Sequence, residues 1–217
     1  MTALSPRQIA DELATLGIVP VITIEDVAAA APLAAALERG GLPVAEVTLR
    51  TPDALAALRA MKRAAPSLLV GAGTLRTPRD VEAAVAHGAD FLVSPGTTPA
   101  LERALLESGR LAIPGVATPS EALARAEAGF SLLKLFPAEA VGGRALLRSL
   151  AGPLPELRFV PTGGIDAARA PDYLALPNVV AIGGSWIAER SAIRSGDWAG
   201  IEARARAARA LVTGGSD

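Results

Sequence analysis

Short apolar runs alternate along the chain with longer amphipathic stretches, at intervals of roughly twenty to twenty-five residues, the length of a βα unit. The runs are residues 17–23, 44–49, 68–73, 90–94, 111–116, 132–136, 158–162 and 179–185, which predict eight strands. The stretches between them repeat apolar residues at helical spacing, as in Val81 and Val85 or Leu101 and Leu105, with Leu123 in the next unit. Their starts are marked by Thr51-Pro52, Thr77-Pro78, Thr98-Pro99 and Thr118-Pro119. Threonine accepts hydrogen bonds from free N–H groups at a helix start, and proline fits the first turn because it has no N–H. Thr118-Pro119-Ser120-Glu121 also reads as a capping box. Gly88, Gly109 and Gly129 stand where helices should stop. Further helices are expected over 144–150, 166–176 and 197–213, and residues 6–16 form an extra helix before the first strand.

Near-continuous apolar strands alternating with helices predict a parallel sheet covered by helices. Eight units favour a (β/α)8 TIM barrel with an extra N-terminal helix, at the short end of the usual length. A doubly wound open sheet is the runner-up. Its Rossmann form is weakly supported, because no Gly-x-Gly-x-x-Gly follows the first strand. No linker, charge block or low-complexity segment divides residues 1–217, so one domain is expected. In a barrel the site lies at the C-terminal ends of the strands, which is where polar residues carry information.

Composition narrows the chemistry. Of 217 residues, 51% are apolar and 3% aromatic, so a large core must be built from Ala, Leu, Val and Ile. The net charge of −1 lacks the basic excess of a nucleic-acid or anionic-membrane surface. There is no Cys, which excludes thiol catalysis, cysteine metal sites and disulfides. With His87 as the one histidine, a Ser-His-Asp machine or multi-histidine metal site has almost nothing to work with. No apolar run approaches a membrane span, and residues 1–12 lack the basic-then-apolar order of a leader, so a soluble cytoplasmic protein is expected. Of 21 basic residues only Lys62 and Lys134 are lysine. A lysine kept in an apolar strand by a chain that otherwise writes arginine raises the question of amine chemistry.

Side chains alternate across a strand. In the second run Glu46, Thr48 and Arg50 share a face opposite Val47 and Leu49, so the polar trio is predicted to point inward. In the sixth, Lys134 shares its face with Leu132 and Phe136. An acid, an arginine and a lysine then converge on one interior. A Glu46–Lys134 or Glu46–Arg50 ion pair that only holds the barrel together is one reading of this set. Catalysis is the other. Burial disfavours an ammonium, and the free amine attacks ketones to form a Schiff base. Glu46 would then carry protons, and the planar Arg50 fork would hold a carboxylate. The seventh and eighth runs end in Pro161-Thr162-Gly163-Gly164 and Ile182-Gly183-Gly184-Ser185. These are either tight turns or the phosphate-binding turns that barrels place after strands seven and eight. Thr74 bonds a substrate oxygen or caps the next turn, and Ser94-Pro95-Gly96 shapes the mouth. His87 is expected to interact with a helix C-terminus and Lys62 to lie on a solvated face, with Trp186 and Trp198 serving packing.

The stretches Glu46-Val47-Thr48-Leu49-Arg50-Thr51, Val70-Gly71-Ala72-Gly73-Thr74, Lys134-Leu135-Phe136-Pro137-Ala138-Glu139, Pro161-Thr162-Gly163-Gly164-Ile165 and Ile182-Gly183-Gly184-Ser185-Trp186 together resemble one family, the class I KDPG/KHG aldolases of the Entner–Doudoroff pathway. They run in order from about residue 17 to 212. The resemblance implies a (β/α)8 barrel, usually a homotrimer, working without cofactor or metal. It implies that Lys134 forms the Schiff base and Glu46 transfers protons. Arg50 and Thr74 would contact the pyruvate portion, with Pro95, Phe136 and Thr162 lining the pocket, and Gly163, Gly164, Gly184 and Ser185 would hold phosphate. The implied substrates are 2-dehydro-3-deoxy-6-phosphogluconate, cleaved to pyruvate and glyceraldehyde 3-phosphate, and 4-hydroxy-2-oxoglutarate, cleaved to pyruvate and glyoxylate. Some members carry an arginine near the end of the first strand, where this chain has Ile22-Thr23. Phosphogalactonate aldolases lack the Thr-Leu-Arg-Thr stretch, which ranks that substrate lower. A non-covalent phosphosugar isomerase or synthase is a further alternative, but it needs no inward lysine. A binding module would tolerate loss of Glu46 or Lys134, and both are present.

Overall fold

A computed structural model describes residues 4–213; residues 1–3 and 214–217, over which the single domain was also expected to extend, lie outside the described residues. The first element is the extra helix α1 (Pro6–Leu16), opened by a Ser5–Gln8 capping box and closed at Gly17. It buries Ile9, Leu13 and Leu16. Strand β1 (Ile18–Ile22) follows, then a single turn of 3-10 helix, α2 (Ala30–Arg39), β2 (Val44–Thr48), α3 (Ala54–Ala64), β3 (Leu69–Gly73), α4 (Pro78–Ala86), β4 (Phe91–Val93) and α5 (Pro99–Glu107). The second half runs β5 (Leu111–Ile113), β6 (Gly115–Val116), α6 (Pro119–Glu127), β7 (Leu132–Leu135), α7 (Gly143–Ala151), β8 (Arg158–Phe159), α8 (Ala170–Leu174), β9 (Ile182–Gly184), α9 (Arg190–Ser195) and α10 (Trp198–Thr213).

All named ladders are parallel. They form a six-stranded sheet, ordered β5-β4-β3-β2-β1-β9, and a three-stranded sheet, β6-β7-β8. The fold is therefore α/β with a curled parallel sheet. The predicted fifth strand is interrupted between β5 and β6 at Pro114, which has no N–H to give to a ladder. Its carbonyl still accepts from Lys134 N at 2.9 Å, and Gly115 N donates to the buried Ser94 Oγ at 3.2 Å. On the other side, two isolated parallel bridges pair Phe159 with Val179 and Thr162 with Gly183, and Gly183 N donates to Pro161 O at 2.9 Å.

The helix punctuation follows the sequence at three of the four Thr-Pro pairs. Thr77, Thr98 and Thr118 cap α4, α5 and α6, with capping boxes at Thr77–Asp80 and Thr118–Glu121. Thr51 differs: its hydroxyl donates to Ile24 O, and α3 opens at Ala54 without a side-chain cap. The expected helix over 166–176 shortens to α8, preceded by a turn in which Asp166 Oδ1 accepts from Arg169 N. Lys62 does not lie free on a solvated face; it is half-buried, 2.7 Å from Asp90 and 3.1 Å from Leu68 O. His87 Nδ1 sits 2.8 Å from Ala83 O at the end of α4, as expected of a helix-terminal histidine. The core lies between strands and helices, with Val44, Val47, Leu37 and Leu58 fully buried, and α10 packs on α2 so closely that a Cβ on Gly40 would meet Ala205. No described helix is long and apolar enough to cross a membrane.

Candidate active site

Strand alternation delivers Glu46 to the inner face of β2 and Lys134 to the inner face of β7. They meet: Nζ of Lys134 lies 3.1 Å from Oε1 and 3.4 Å from Oε2 of Glu46. The two residues are only 5% and 3% exposed, so each charge depends on the other for compensation. Of the two ion pairs that the sequence left open, this is the one formed. The Phe136 ring centroid is 5.5 Å from Nζ, within range of a cation–π contact.

Glycine makes room for the pair. Glu46 pairs in register with Gly71, and Thr48 with Gly73. A Cβ on Gly73 would fall 2.1 Å from Glu46 Oε1, and one on Gly71 would enter the Phe91 ring. Lys134 pairs in register with Gly115, where a Cβ would run into the Pro95 backbone. Gly73 thus leaves the space that the Glu46 carboxylate occupies, while Gly71 and Gly115 admit the Phe91 ring and the Pro95 backbone beside the strands that carry the acid and the amine.

Arg50 and Thr74 stand together at the strand ends, with Arg50 Nε donating to Thr74 Oγ1 at 3.2 Å. Thr74 has a φ of 64°, a left-handed conformation that non-glycine residues seldom adopt. It does not cap the next turn; Thr77 does that. Such a backbone conformation persists only where the surroundings impose it, and here it presents the threonine hydroxyl to the arginine. Beneath them, Thr48 Oγ1 donates to Ile22 O and lies 2.9 Å from Thr23 Oγ1, both residues buried.

Thr162 is buried, and its hydroxyl packs where a Gly183 side chain would otherwise lie. Gly163 and Gly164 follow with φ values of 105° and 79°, a turn barred to most side chains. Their N–H groups have no main-chain acceptor among the described residues. Gly184 is buried beneath the Trp186 ring, and Ser185 is exposed beyond it. Ser185 and Arg50 line one cavity of about 380 Å³, together with Val21, Thr23, Ala188, Glu189 and Arg190.

Sequence reasoning missed two features. Tyr173, fully buried, donates to Glu139, which Arg169 also approaches at 3.5 Å, and this cluster packs under Gly164. Burial and the Glu139 carboxylate push the Tyr173 hydroxyl well above its ordinary range. Arg190 in the mouth cavity is the second. Neither gave a local signal, since each acquires meaning only from residues distant in the chain.

A parallel α/β scaffold that buries one amine against one carboxylate, with an arginine at the strand ends, defines an enzyme of the Schiff-base aldolase type. The chain belongs to the KDPG and KHG aldolase family, whose model matches residues 9–204. It is 45% identical over 191 residues to the 2-dehydro-3-deoxy-phosphogluconate aldolase of Pseudomonas aeruginosa, covering 88% of this chain and 87% of that protein. It is 44% identical over 200 residues to the KHG/KDPG aldolase of Escherichia coli K12, covering 92% and 94%. A crystal structure of KDPG aldolase from Legionella pneumophila, with pyruvate captured as a covalent carbinolamine, superposes with a TM-score of 0.89 at 42% identity, over 92% of this chain and 97% of that one. The protein is thus an aldolase, a lyase.

Proposed function

We propose that this protein cleaves 2-dehydro-3-deoxy-6-phosphogluconate to pyruvate and glyceraldehyde 3-phosphate, and 4-hydroxy-2-oxoglutarate to pyruvate and glyoxylate, through a Schiff base on Lys134. The observation that carries this reading is the buried 3.1 Å contact between Lys134 Nζ and Glu46 Oε1. Moving a proton from nitrogen to carboxylate replaces two buried charges with two neutral groups and frees the lone pair. The amine adds to the C2 ketone to give a carbinolamine, and loss of water gives the imine. A base then takes the C4 hydroxyl proton, the C3–C4 electron pair moves toward the iminium, and the aldehyde leaves. Protonation of the enamine at C3 and addition of water return pyruvate and the amine, so the water lost is regained. Glu46, alone among carboxylates in contact with Nζ among the described residues, serves these proton transfers in turn.

Arg50 and Thr74 hold the substrate carboxylate, Arg50 through its planar fork. Pro95, Phe136 and Thr162 line the pyruvate pocket. Gly163, Gly164, Gly184 and Ser185 take the phosphate, for which the free N–H groups of the first two are suited. Sheet curl, the short break at Pro114 and the Thr162–Gly183 bridge support reading the strands as one (β/α)8 barrel in a single domain over residues 1–217. We assign the chain to the cytoplasm as a homotrimer needing neither metal nor cofactor; sedimentation at micromolar concentration tests the oligomer.

The deciding experiment is borohydride reduction in the presence of pyruvate, with peptide mapping. An adduct on Lys134, absent from Lys134→Arg, supports the reading; an adduct on Lys62, or none in active protein, overturns it. A guanidinium stays protonated and cannot replace the amine.

A further inference from the structure

The cavity at the strand ends holds three ionisable side chains: Arg50, Glu189 and Arg190. Two are cations and one is an acid. Arg50 is already engaged, its Nε on Thr74. The other arginines near this mouth are engaged as well. Arg194 pairs with Glu25 at 3.1 Å, Arg169 with Asp166 at 2.7 Å, and Arg204 with Asp197 at 3.4 Å while donating to Ile187 O. Arg190 is exposed, and its side chain has neither a hydrogen bond nor an ion-pair partner among the described residues, although Glu189 is its neighbour in the chain. It also lines a second cavity of about 380 Å³, bounded by Glu25, Asp26, Arg194 and Trp198, and so forms part of the wall between the two.

An exposed, unpaired arginine that lines one cavity with Ser185 and Arg50 is placed to meet an anion that enters there. Its fork matches two phosphate oxygens at once, and a phosphate dianion gains more from it than a single carboxylate does. We propose that Arg190 is a specificity-determining residue that binds the distal phosphate of the substrate, favouring phosphorylated over unphosphorylated 2-oxo acids. This rests on the proposed aldolase reaction and adds a side chain to it that the glycine turns do not supply. The turns offer N–H dipoles, whereas Arg190 offers a full charge whose effect falls with salt.

The test compares Arg190→Ala, Arg190→Lys and the control Arg194→Ala, which removes a cation already neutralised by Glu25. The readout is the ratio of kcat/KM for 2-dehydro-3-deoxy-6-phosphogluconate to that for 4-hydroxy-2-oxoglutarate. Arg190→Ala should lower the ratio about 10- to 100-fold, mainly through KM on the phosphorylated substrate. Arg190→Lys should recover part of it, because charge returns without the fork. Arg194→Ala should leave the ratio alone. In parallel, calorimetric titration with 3-phosphoglycerate should show weaker binding to Arg190→Ala than to wild type, and the difference should shrink as salt rises. An unchanged ratio and unchanged 3-phosphoglycerate affinity in Arg190→Ala overturn the assignment, as does an equal drop in Arg194→Ala. If wild type cleaves neither 2-oxo acid, the aldolase reading fails by itself, and the calorimetry still decides whether Arg190 binds phosphate.

Discussion

Gly73→Ala tests the site without touching any group that does chemistry. The added Cβ would lie 2.1 Å from Glu46 Oε1 and 2.7 Å from Glu46 Cδ and Cγ, whereas ordinary contact begins at 3.4 Å. The carboxylate oxygen must therefore retreat about 1.3 Å, the difference between 3.4 and 2.1 Å. Gly73 is absent from the positive-φ positions, so alanine meets no backbone strain and the conflict is steric alone. Overpacking typically costs about 1–3 kcal/mol, offset by about 0.4–1 kcal/mol because alanine restricts the unfolded chain. The variant should fold with a modestly lowered melting temperature. Displacing a reacting group by about an ångström costs on the order of 10²-fold in rate. Turnover in Gly73→Ala, measured as pyruvate release from 2-dehydro-3-deoxy-6-phosphogluconate, should fall by about that factor. Glu46→Gln, which keeps the shape but cannot exchange a proton, should lose about 10²–10⁴-fold. Because both changes act on one carboxyl group, the double variant should be no slower than Glu46→Gln alone. Exchange of pyruvate methyl protons with deuterium should fall in parallel, since it uses the same enamine step. Near wild-type turnover in folded Gly73→Ala, or losses that multiply in the double variant, would refute the placement of Glu46 as the proton carrier. The buried pair would then be a structural brace.

The remaining predictions concern other parts of the molecule. Ser185→Asp puts a carboxylate on the mouth cavity, so activity on the phosphorylated substrate should fall far more than on 4-hydroxy-2-oxoglutarate; equal losses would place the phosphate elsewhere. Dialysis against EDTA should leave pyruvate release unaltered, since the imine supplies the electron sink; loss restored by zinc or magnesium would contradict this. Glu121 takes hydrogen bonds from the N–H groups of Ala117 and Thr118 in its capping box, which holds its carboxyl below the usual range, the Ala117 bond acting most. A depressed carboxyl stabilises the fold above its unfolded value, and that contribution is lost as pH falls through the lowered folded value. Denaturant unfolding of Glu121→Gln should therefore be less stable than wild type at neutral pH, by about 1 kcal/mol or less for so exposed a cap. The gap should close in acid, and a gap that widens on acidification would reverse the sign of this account.

Much of the scaffold was legible because it depends on local physics. Strand runs are set by continuous apolar residues, so all eight appear within a few residues of their predicted places, the fifth split in two at Pro114. Helix starts at Thr77, Thr98 and Thr118 need only a hydroxyl within reach of N–H groups three residues on. Period-two alternation by itself assigns Glu46 and Lys134 to inner faces. Other outcomes depended on partners distant in the chain. The sequence could not say which cation Glu46 would meet, because Lys134 lies 88 residues away and sheet curl brings it to 3.1 Å. Thr51 looks like its three capping counterparts, yet its hydroxyl is drawn to Ile24 O, two residues past the end of β1. Lys62 looked solvated until Asp90, 28 residues on, came within 2.7 Å. Gly73 read as an ordinary small residue, and only the packed strands reveal that it leaves the space the Glu46 carboxylate fills. Local composition determined the elements and the face each side chain takes, because those are settled within a few residues. Tertiary structure alone decided which groups touch and which remain unpaired, because a parallel sheet brings together residues far apart in the chain.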